Sequence, residues 1–432
     1  MTKPITFCIA SANNEKEYTK LVLRSLQDHT DIKRHEILVF IDSDNQNTHE
    51  ALLEIKQKLP NLRICKNTTG FPIGSQRNVS VMFDAATNDV VCYLQSDMVV
   101  GKDFDKHISD NINENTVLAC ARIEPPLHPP SPEKIVMDFG LIPEEFKYEE
   151  FNAYVDTLQK ENRPNMVGHF APFAIYKSAW FDKLGGFDTQ FRCSREDSDT
   201  ILRMDLCGLA MIQSWNACVY HFTCISSRGT DWFKQNPEAD YKNELQHQAD
   251  HQELKRFIRK WGFFGHHPKP VYDIAFDIDL DRYVDLNLLK FLEPFCKKMH
   301  LNDESVAHQL ASQIEFEAHY YSNLRWKYST EHWLNKQLLF NPTNFFEKIQ
   351  ANTKPNTDVV ISFKYSEFVK GFNEEMKKVI ENIHSIVADT EVGSFAFGPL
   401  VIEIKQKQDL SQDYKRVSTI DTLLKIDTFK FE

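Results

Sequence analysis

No uninterrupted apolar run in the 432 residues approaches the roughly 18 needed to span a bilayer. No secretory leader is expected either, because Met1-Thr2-Lys3-Pro4 leads directly into a strand-like run, and a cytoplasmic location is the corresponding expectation. Basic residues are in deficit, 50 Lys and Arg against 62 Asp and Glu, giving a formal net charge of −12. This balance argues against a non-specific grip on nucleic acid or anionic membrane, both of which require a basic face. The nine cysteines are scattered and contain no Cys-x-x-Cys pair, so neither a structural zinc nor a disulfide framework is expected. Cys8, Cys92, Cys120 and Cys218 lie in apolar runs, where free cysteine acts as a small hydrophobe. Glycine is scarce: 14 residues, where the usual ~7% would give roughly 30. A glycine that falls in a motif is therefore more informative than usual. Internal repeats and low-complexity tracts are also absent from the sequence.

What is present describes a globular chain of two or three domains, 42% apolar and 26% charged. The first hundred residues alternate between strand and helix. Apolar, β-branched runs at Ile5–Ala10, Glu36–Ile41, Leu62–Lys66 and Asp89–Leu94 are separated by helical spacing at Glu15–Gln27, His49–Leu59 and Ser75–Ala86. This alternation predicts a mostly parallel sheet covered on both sides. Ligands of such sheets bind beyond the carboxyl ends of the strands. The polar clusters Ser11–Glu15, Asp42–Asp44 and Gln95–Asp97 all fall at those ends.

Five prolines between residues 122 and 134 exclude a helix or central strand and predict a surface loop of the kind that contacts substrate. From Gly185 the chain reads Gly-Gly-Phe-Asp-Thr-Gln-Phe-Arg-Cys-Ser-Arg-Glu-Asp-Ser-Asp, just ahead of a helical pattern ending at Gly208. Helix capping accounts for Asp199. It leaves the Gly-Gly turn and the adjacent Glu196-Asp197 without a role. Strands are expected at Leu209–Trp215 and Ala217–Thr223, and helix over 238–260. Beyond residue 270, Val271–Leu280 alternates like an exposed strand, Leu286–Met299 and Glu304–Trp326 read as helices, and Thr357–Tyr365, Phe368–Val387 and Phe395–Ile404 suggest a small α/β or α+β unit. No catalytic motif is visible there.

Taken in order, these fragments resemble the family 2 glycosyltransferases. Ile5–Glu15 resembles the family's opening strand and turn, and Leu38–Asp44 its second strand, with Asp42 at the position that reads the nucleotide base. Gly74-Ser75-Gln76-Arg77-Asn78 resembles the Ala-Arg-Asn stretch of the nucleotide pocket. Val91–Asp97 occupies the place of the Asp-x-Asp strand, with Gln95 where the first aspartate usually stands. Gly185–Asp188 with Glu196-Asp197 resembles the acceptor-side motif, and Val219-Tyr220-His221 the Val-x-His strand end. The resemblance covers about residues 1–265. It implies a GT-A fold, a Rossmann-like, mostly parallel sheet flanked by helices, as the catalytic domain. Residues 266–432 form a smaller C-terminal α/β or α+β region of unassigned role.

The resemblance implies a metal-dependent transfer of a hexosyl or N-acetylhexosaminyl group from a nucleotide-diphospho-sugar, with UDP preferred, to a hydroxyl acceptor. The acceptor class (glycan, lipid-linked or protein) stays open, as does homo-oligomerisation. Ala10, Ser11, Ala12, Glu15, Asp42, Gly74, Arg77, Gln95 and Ser96 are the implied donor-binding residues. Asp97 and His221 are the implied ligands of Mn²⁺ or Mg²⁺, a carboxylate and an imidazole suiting Mn²⁺ better than Ca²⁺. A hydroxyl attacks poorly unless a base removes its proton. Asp197 is the implied base of a direct displacement, and Glu196 its acceptor-side neighbour. Trp180 and Phe187 are candidates for an apolar platform under a sugar, while Trp215 reads as core. Two other readings compete: a nucleotidyltransferase, which would want a Gly-rich phosphate loop after the first strand, and a catalytically weakened binding or scaffolding protein, which Gln95 favours.

Overall fold

The structure, a computed structural model, describes residues 2–68, 73–127, 130–168, 171–188, 190–191, 195–223, 251–324, 343–417 and 429–432. The chain divides into two compact units that interleave in sequence. One comprises Met1–Thr189, Met204–Ala239 and Arg416–Glu432; the other comprises Gln190–Arg203 and Asp240–Lys415.

Among the described residues of the first unit, ten strands form one sheet: β1 (Ile5–Ser11), β2 (Glu36–Ile41), β3 (Leu62–Lys66), β4 (Val90–Gln95), β5 (Met98–Val100), β6 (Thr116–Glu124), β7 (Lys134–Val136), β8 (Met166–Val167), β9 (Phe173–Tyr176) and β10 (Ala210–His221). The main order is β3-β2-β1-β4-β9-β6-β10-β5, with β7 beside β6 and β8 beside β10. β3, β2, β1 and β4 run parallel, as the strand–helix alternation requires. Helices α1 (Lys16–His29), α2 (Thr48–Lys56), α3 (Ser75–Ala85), α4 (Phe104–Asn111) and α5 (Tyr148–Lys160) complete the layers.

Both faces of the sheet are apolar, which is why its strands read as continuous rather than alternating. Ile5, Phe7 and Ile9 pack with Val22, Leu26, Phe104 and Ile108 on one side. Cys8, Leu38 and Phe40 pack with Val79, Met82, Phe83 and Trp180 on the other. The cysteines singled out in the sequence are buried free thiols, as expected. The two strands expected at 209–223 are one strand, β10, whose register against β6 shifts between Ser214 and Cys218. Residues 429–432 return to this unit. Glu432 exchanges backbone hydrogen bonds of 3.0 Å with Ile64 of β3, and Phe429 packs edge-on against Phe40.

The second unit holds a sheet of β11 (Ile274–Asp279), β12 (Lys298–Leu301), β13 (Ile349–Ala351), β14 (Val359–Lys364), β15 (Gly393–Phe397) and β16 (Leu400–Ile404), ordered β13-β12-β11-β14-β16-β15. The first four are parallel and the last two antiparallel. Two expectations need correction here. Val271–Leu280 is not an exposed strand. Its core is β11, held between β12 and β14 with Ile274, Phe276 and Ile278 buried in the unit's core. Leu286–Met299 is not one helix. α7 (Leu286–Leu292) gives way at Pro294 to a single tight turn and then to β12, because proline cannot continue the helical hydrogen bonding. α8 (Glu304–Leu324) follows the expected pattern. The expected helix over 238–260 is described from 251 onward, where 251–261 is helical. Among the described residues no helix is long and apolar enough to cross a membrane.

Candidate functional site

The sequence-predicted residues of the first unit gather at the carboxyl rim of its sheet. β1 and β4 are adjacent, so Ala10 lies opposite Gln95. Beyond those strand ends Glu15 bridges the two turns. Its buried Oε2 accepts from the Ala12 backbone N–H (2.7 Å) and from Ser96 Oγ (2.6 Å). Ser11 Oγ shares a 2.8 Å hydrogen bond with Thr19 Oγ1 on α1. The following Asn13-Asn14 turn is tied to the β2 end, Asn14 N–H donating to Asn45 Oδ1 at 2.9 Å. Asn14 has a φ of 67°, a conformation that asparagine tolerates better than most residues.

At the end of β2, Asp42 is buried and its two oxygens face the chain ahead of α3. Oδ1 accepts from Ile73 N–H (2.8 Å) and Asn67 Nδ2 (2.9 Å), and Oδ2 accepts from Gly74 N–H (2.9 Å). Burial pushes its carboxyl above the usual range, and those backbone donors oppose the shift. Gly74 adopts a φ of 91°, which a side chain would strain. Arg77 is buried on α3 and donates to the Ile73 carbonyl at 3.3 Å. Asp44 has a different job. Its oxygens accept from the backbone N–H groups of Gln46, Thr48 and His49, capping α2. Burial acts to raise its pKa, but these N–H donors outweigh burial and hold the carboxyl down.

The implied metal ligands meet through strand register. β5 is antiparallel to β10 with Met98 opposite His221, so Asp97, one residue before Met98, arrives beside the imidazole. Asp97 Oδ2 lies 3.6 Å from His221 Nε2. Burial raises the pKa of the Asp97 carboxyl, with His221 pulling the other way. On the far side of the ring, His221 Nδ1 is 2.8 Å from Glu124 Oε1. Glu124 also touches Lys134 (2.9 Å) and Arg122 (3.5 Å). Burial works to raise its pKa, yet the His221 hydrogen bond and these cations hold it at about 2. Glu124 was not singled out by the motifs. The signal was present, because it is an acid closing an apolar strand, as Asp42 and Asp97 are.

Among the described residues, no three His, Cys, Asp or Glu side chains are grouped to hold a metal ion. Asp97 and His221 supply two. Their chemistry, one carboxylate and one imidazole with facing donor atoms, fits a Mn²⁺- or Mg²⁺-type cation whose other positions are filled by substrate oxygens and water.

The acceptor-side motif is divided between the units. Gly185 (φ 71°) and Gly186 (φ 89°) belong to the first, and a Cβ on Gly185 would collide with the Val417 carbonyl oxygen. Trp180 and Phe187 are not a sugar platform: both are buried, packed at 4.7 Å edge to face. Trp215 is core, as read. Glu196 and Asp197 open α6 (Glu196–Leu206) and fall in the second unit, where Asp197 Oδ1 accepts from Ser198. Asp199 is not a helix cap. It is fully buried, with Oδ2 bound to Arg203 Nε (2.8 Å) and Oδ1 to Lys260 Nζ (2.6 Å) and Trp261 Nε1 (3.0 Å).

Residues 7–185 match the family model described as glycosyl transferase family 2. No curated protein matches the chain. Among solved structures the chain is similar to GalNAc-T7 with UDP, GalNAc and Mn²⁺, at a TM-score of 0.39 and 16% identity, over 50% of this chain and 43% of that one. It is similar to the mannosyltransferase PcManGT from Pyrobaculum calidifontis in complex with GDP-Man and Mn²⁺, at 0.39 and 14%, over 59% and 64%. It is also similar to S. aureus TarS residues 1–349 in complex with UDP, at 0.38 and 13%, over 78% and 90%. The chain thus spans less than two thirds of the length of the first two. The matched residues 7–185 lie in the first unit and hold strands β1 to β9 of its helix-flanked sheet.

Proposed function

We propose that the protein transfers a hexosyl or N-acetylhexosaminyl group from a nucleotide-diphospho-sugar, UDP-linked by preference, to a hydroxyl acceptor. The observation that carries this reading is the approach of Asp97, within the residues matched by the family model, to His221 at the rim of the same sheet. Ala10, Ser11, Ala12, Glu15, Asp42, Gly74, Arg77, Gln95 and Ser96 bind the donor, and Asp97 and His221 hold Mn²⁺ or Mg²⁺. The bound cation supplies charge neutralisation for the diphosphate leaving group. Asp42 is held against Ile73 and Gly74 and thereby shapes the pocket wall as well as facing the base. Arg77 adds positive charge that the diphosphate needs.

Asp197 takes the proton of the attacking hydroxyl as the new glycosidic bond forms and the bond to the diphosphate breaks, while Glu196 orients the acceptor. Gln95 is polar and uncharged, so it binds the donor without adding a second carboxylate to the cation site.

The test is a UDP titration with and without Mn²⁺, followed by a donor screen scoring release of the nucleoside diphosphate. UDP binding is expected to depend on the metal. Asp197→Asn should abolish transfer and leave UDP affinity nearly intact. Metal-independent UDP binding sinks the transferase reading, and full activity in Asp197→Asn removes that residue from the base role.

A further inference from the structure

We propose that Glu124 is the positioning residue of the cation site: by accepting the Nδ1 proton of His221, it turns Nε2 toward Asp97 as a lone-pair donor. The inference rests on the reading that Asp97 and His221 hold a divalent cation.

Register places the three residues without any local sequence motif. β6 and β10 run parallel with Ile123 opposite Tyr220, so Glu124 and His221 leave the sheet side by side. The imidazole is then bracketed by two carboxylates at unequal distances. Glu124 stands at hydrogen-bond distance from Nδ1, 2.8 Å, while Asp97 stands 3.6 Å from Nε2, beyond a hydrogen bond. A single ring proton therefore belongs on Nδ1. The pair of donors left facing each other, Nε2 and the Asp97 oxygen, has room between them for an ion and no direct bond of its own. Metal-binding histidines are commonly oriented in this way, with the non-ligating nitrogen donating to a carboxylate.

Glu124 is itself held by its neighbours. It is 3% exposed, Oε2 accepts from Lys134 Nζ at 2.9 Å, and Arg122 lies 3.5 Å from Oε1. Both oxygens are thus engaged within the protein, which suits a group that orients a ligand rather than serving as one. Lys134 opens β7, the strand that follows the proline-rich segment. The Gln213 Nε2 bond to the Glu133 carbonyl (2.9 Å) fixes the same end. The foot of that segment and the orientation of His221 consequently depend on one carboxylate.

The experiment titrates the full chain with Mn²⁺ alone, reading free Mn²⁺ by electron paramagnetic resonance. Glu124→Leu, Glu124→Gln, His221→Ala and Asp97→Asn are compared with wild type, and each variant's cooperative melt is followed by circular dichroism. Glu124→Leu should weaken Mn²⁺ binding by about 10- to 100-fold. Glu124→Gln, whose amide oxygen still accepts from Nδ1–H, should recover most of it. Wild-type affinity in a folded Glu124→Leu overturns the proposal, as does equal loss in the leucine and glutamine variants. Should Glu124→Leu not fold, the tautomer of His221 in ¹⁵N-histidine-labelled wild type decides: a proton on Nδ1 supports the proposal and a proton on Nε2 overturns it. Undiminished Mn²⁺ binding in His221→Ala and Asp97→Asn would instead overturn the cation site on which the proposal stands, a result distinct from failure of the Glu124 variants alone.

Discussion

Two buried acids of the first unit and two of the second are treated in opposite ways. In the first, burial pushes the carboxyls of Asp42 and Asp97 up, against backbone N–H groups in one case and an imidazole in the other. In the second, Glu293 is fully buried, and Arg259 grips both its oxygens at 2.8–3.1 Å while Lys348 lies at 2.6 Å. Burial would raise the Glu293 pKa, but those cations hold it at about 2. Asp199 in the same unit is likewise matched by Arg203 and Lys260. A buried carboxylate already joined to lysine or arginine, as Glu293 and Asp199 are, has its charge balanced within the protein. One that burial has pushed up has an unmet demand for positive charge, and a bound cation can satisfy it.

The strongest way to break this contrast is to neutralise one acid in each unit. Glu293→Gln strands Arg259 and Lys348 and should cost about 3–5 kcal/mol in urea unfolding. Asp97→Asn removes a charge that burial disfavours and should change stability by less than about 1 kcal/mol, while abolishing Mn²⁺ binding. Equal destabilisation by the two variants would erase the distinction.

Acid provides the next test. His384 in the second unit is buried, its Nδ1 accepts from the Tyr272 N–H at 3.0 Å, and burial, aided by Lys297, lowers its pKa to about 3. The unfolded chain therefore takes up a proton below about pH 6.5 that the native unit refuses. Stability from His384 is complete above that pH and is lost as pH falls toward 3. Glu293 adds a second loss between its ordinary value, 4.5, and about 2. In the first unit Glu124 adds a loss over the same range as Glu293, but Asp42 and Asp97 act in the opposite sense: the native state holds their protons more tightly, so their share of stability grows as pH falls. Hydrogen exchange, corrected for intrinsic rates, should show β11 and β12 losing up to about 1.4 kcal/mol of protection per pH unit below 6.5. β1 and β2 should lose less. Uniform loss across both sheets would break the comparison.

The smallest effect sharpens it within the first unit. Asp42→Asn leaves an oxygen for one backbone donor but none for the other of Ile73 and Gly74. It should cost about 1 kcal/mol in urea unfolding and weaken UDP binding in the same titration that tests the donor site.

Much of the first sheet was legible because its strands are apolar on both faces and end in polar clusters. Ile5–Ser11 and Glu36–Ile41 announce both the layer and the rim where Glu15 and Asp42 gather. The proximity of Asp97 and His221 followed from motif order, although the cause, the pairing of Met98 with His221, has no local signature. Asp199 was misread because a short-range rule, acids capping helices, explains it without the Lys260 and Trp261 that claim it some sixty residues later. Trp180 and Phe187 flank a motif, and only the packing shows that the core has enclosed them. In the second unit the acids of 273–281 imitate solvent exposure. Asp277 lies in register with His300 and Ser362 across three strands, a polar row that no single strand reveals.

The interleaving of the units bears on how the protein is made. The chain passes from one unit to the other after residues 189, 203, 239 and 415. A ribosome delivers these segments in order and only once. The outer edge of β3 thus emerges with the first seventy residues but waits for residues 429–432 to cover it. Until then the nascent first unit carries an open strand edge, the feature that most readily recruits a foreign strand. Delivery of residues 429–432, rather than completion of the central strands, is the step at which that exposure ends.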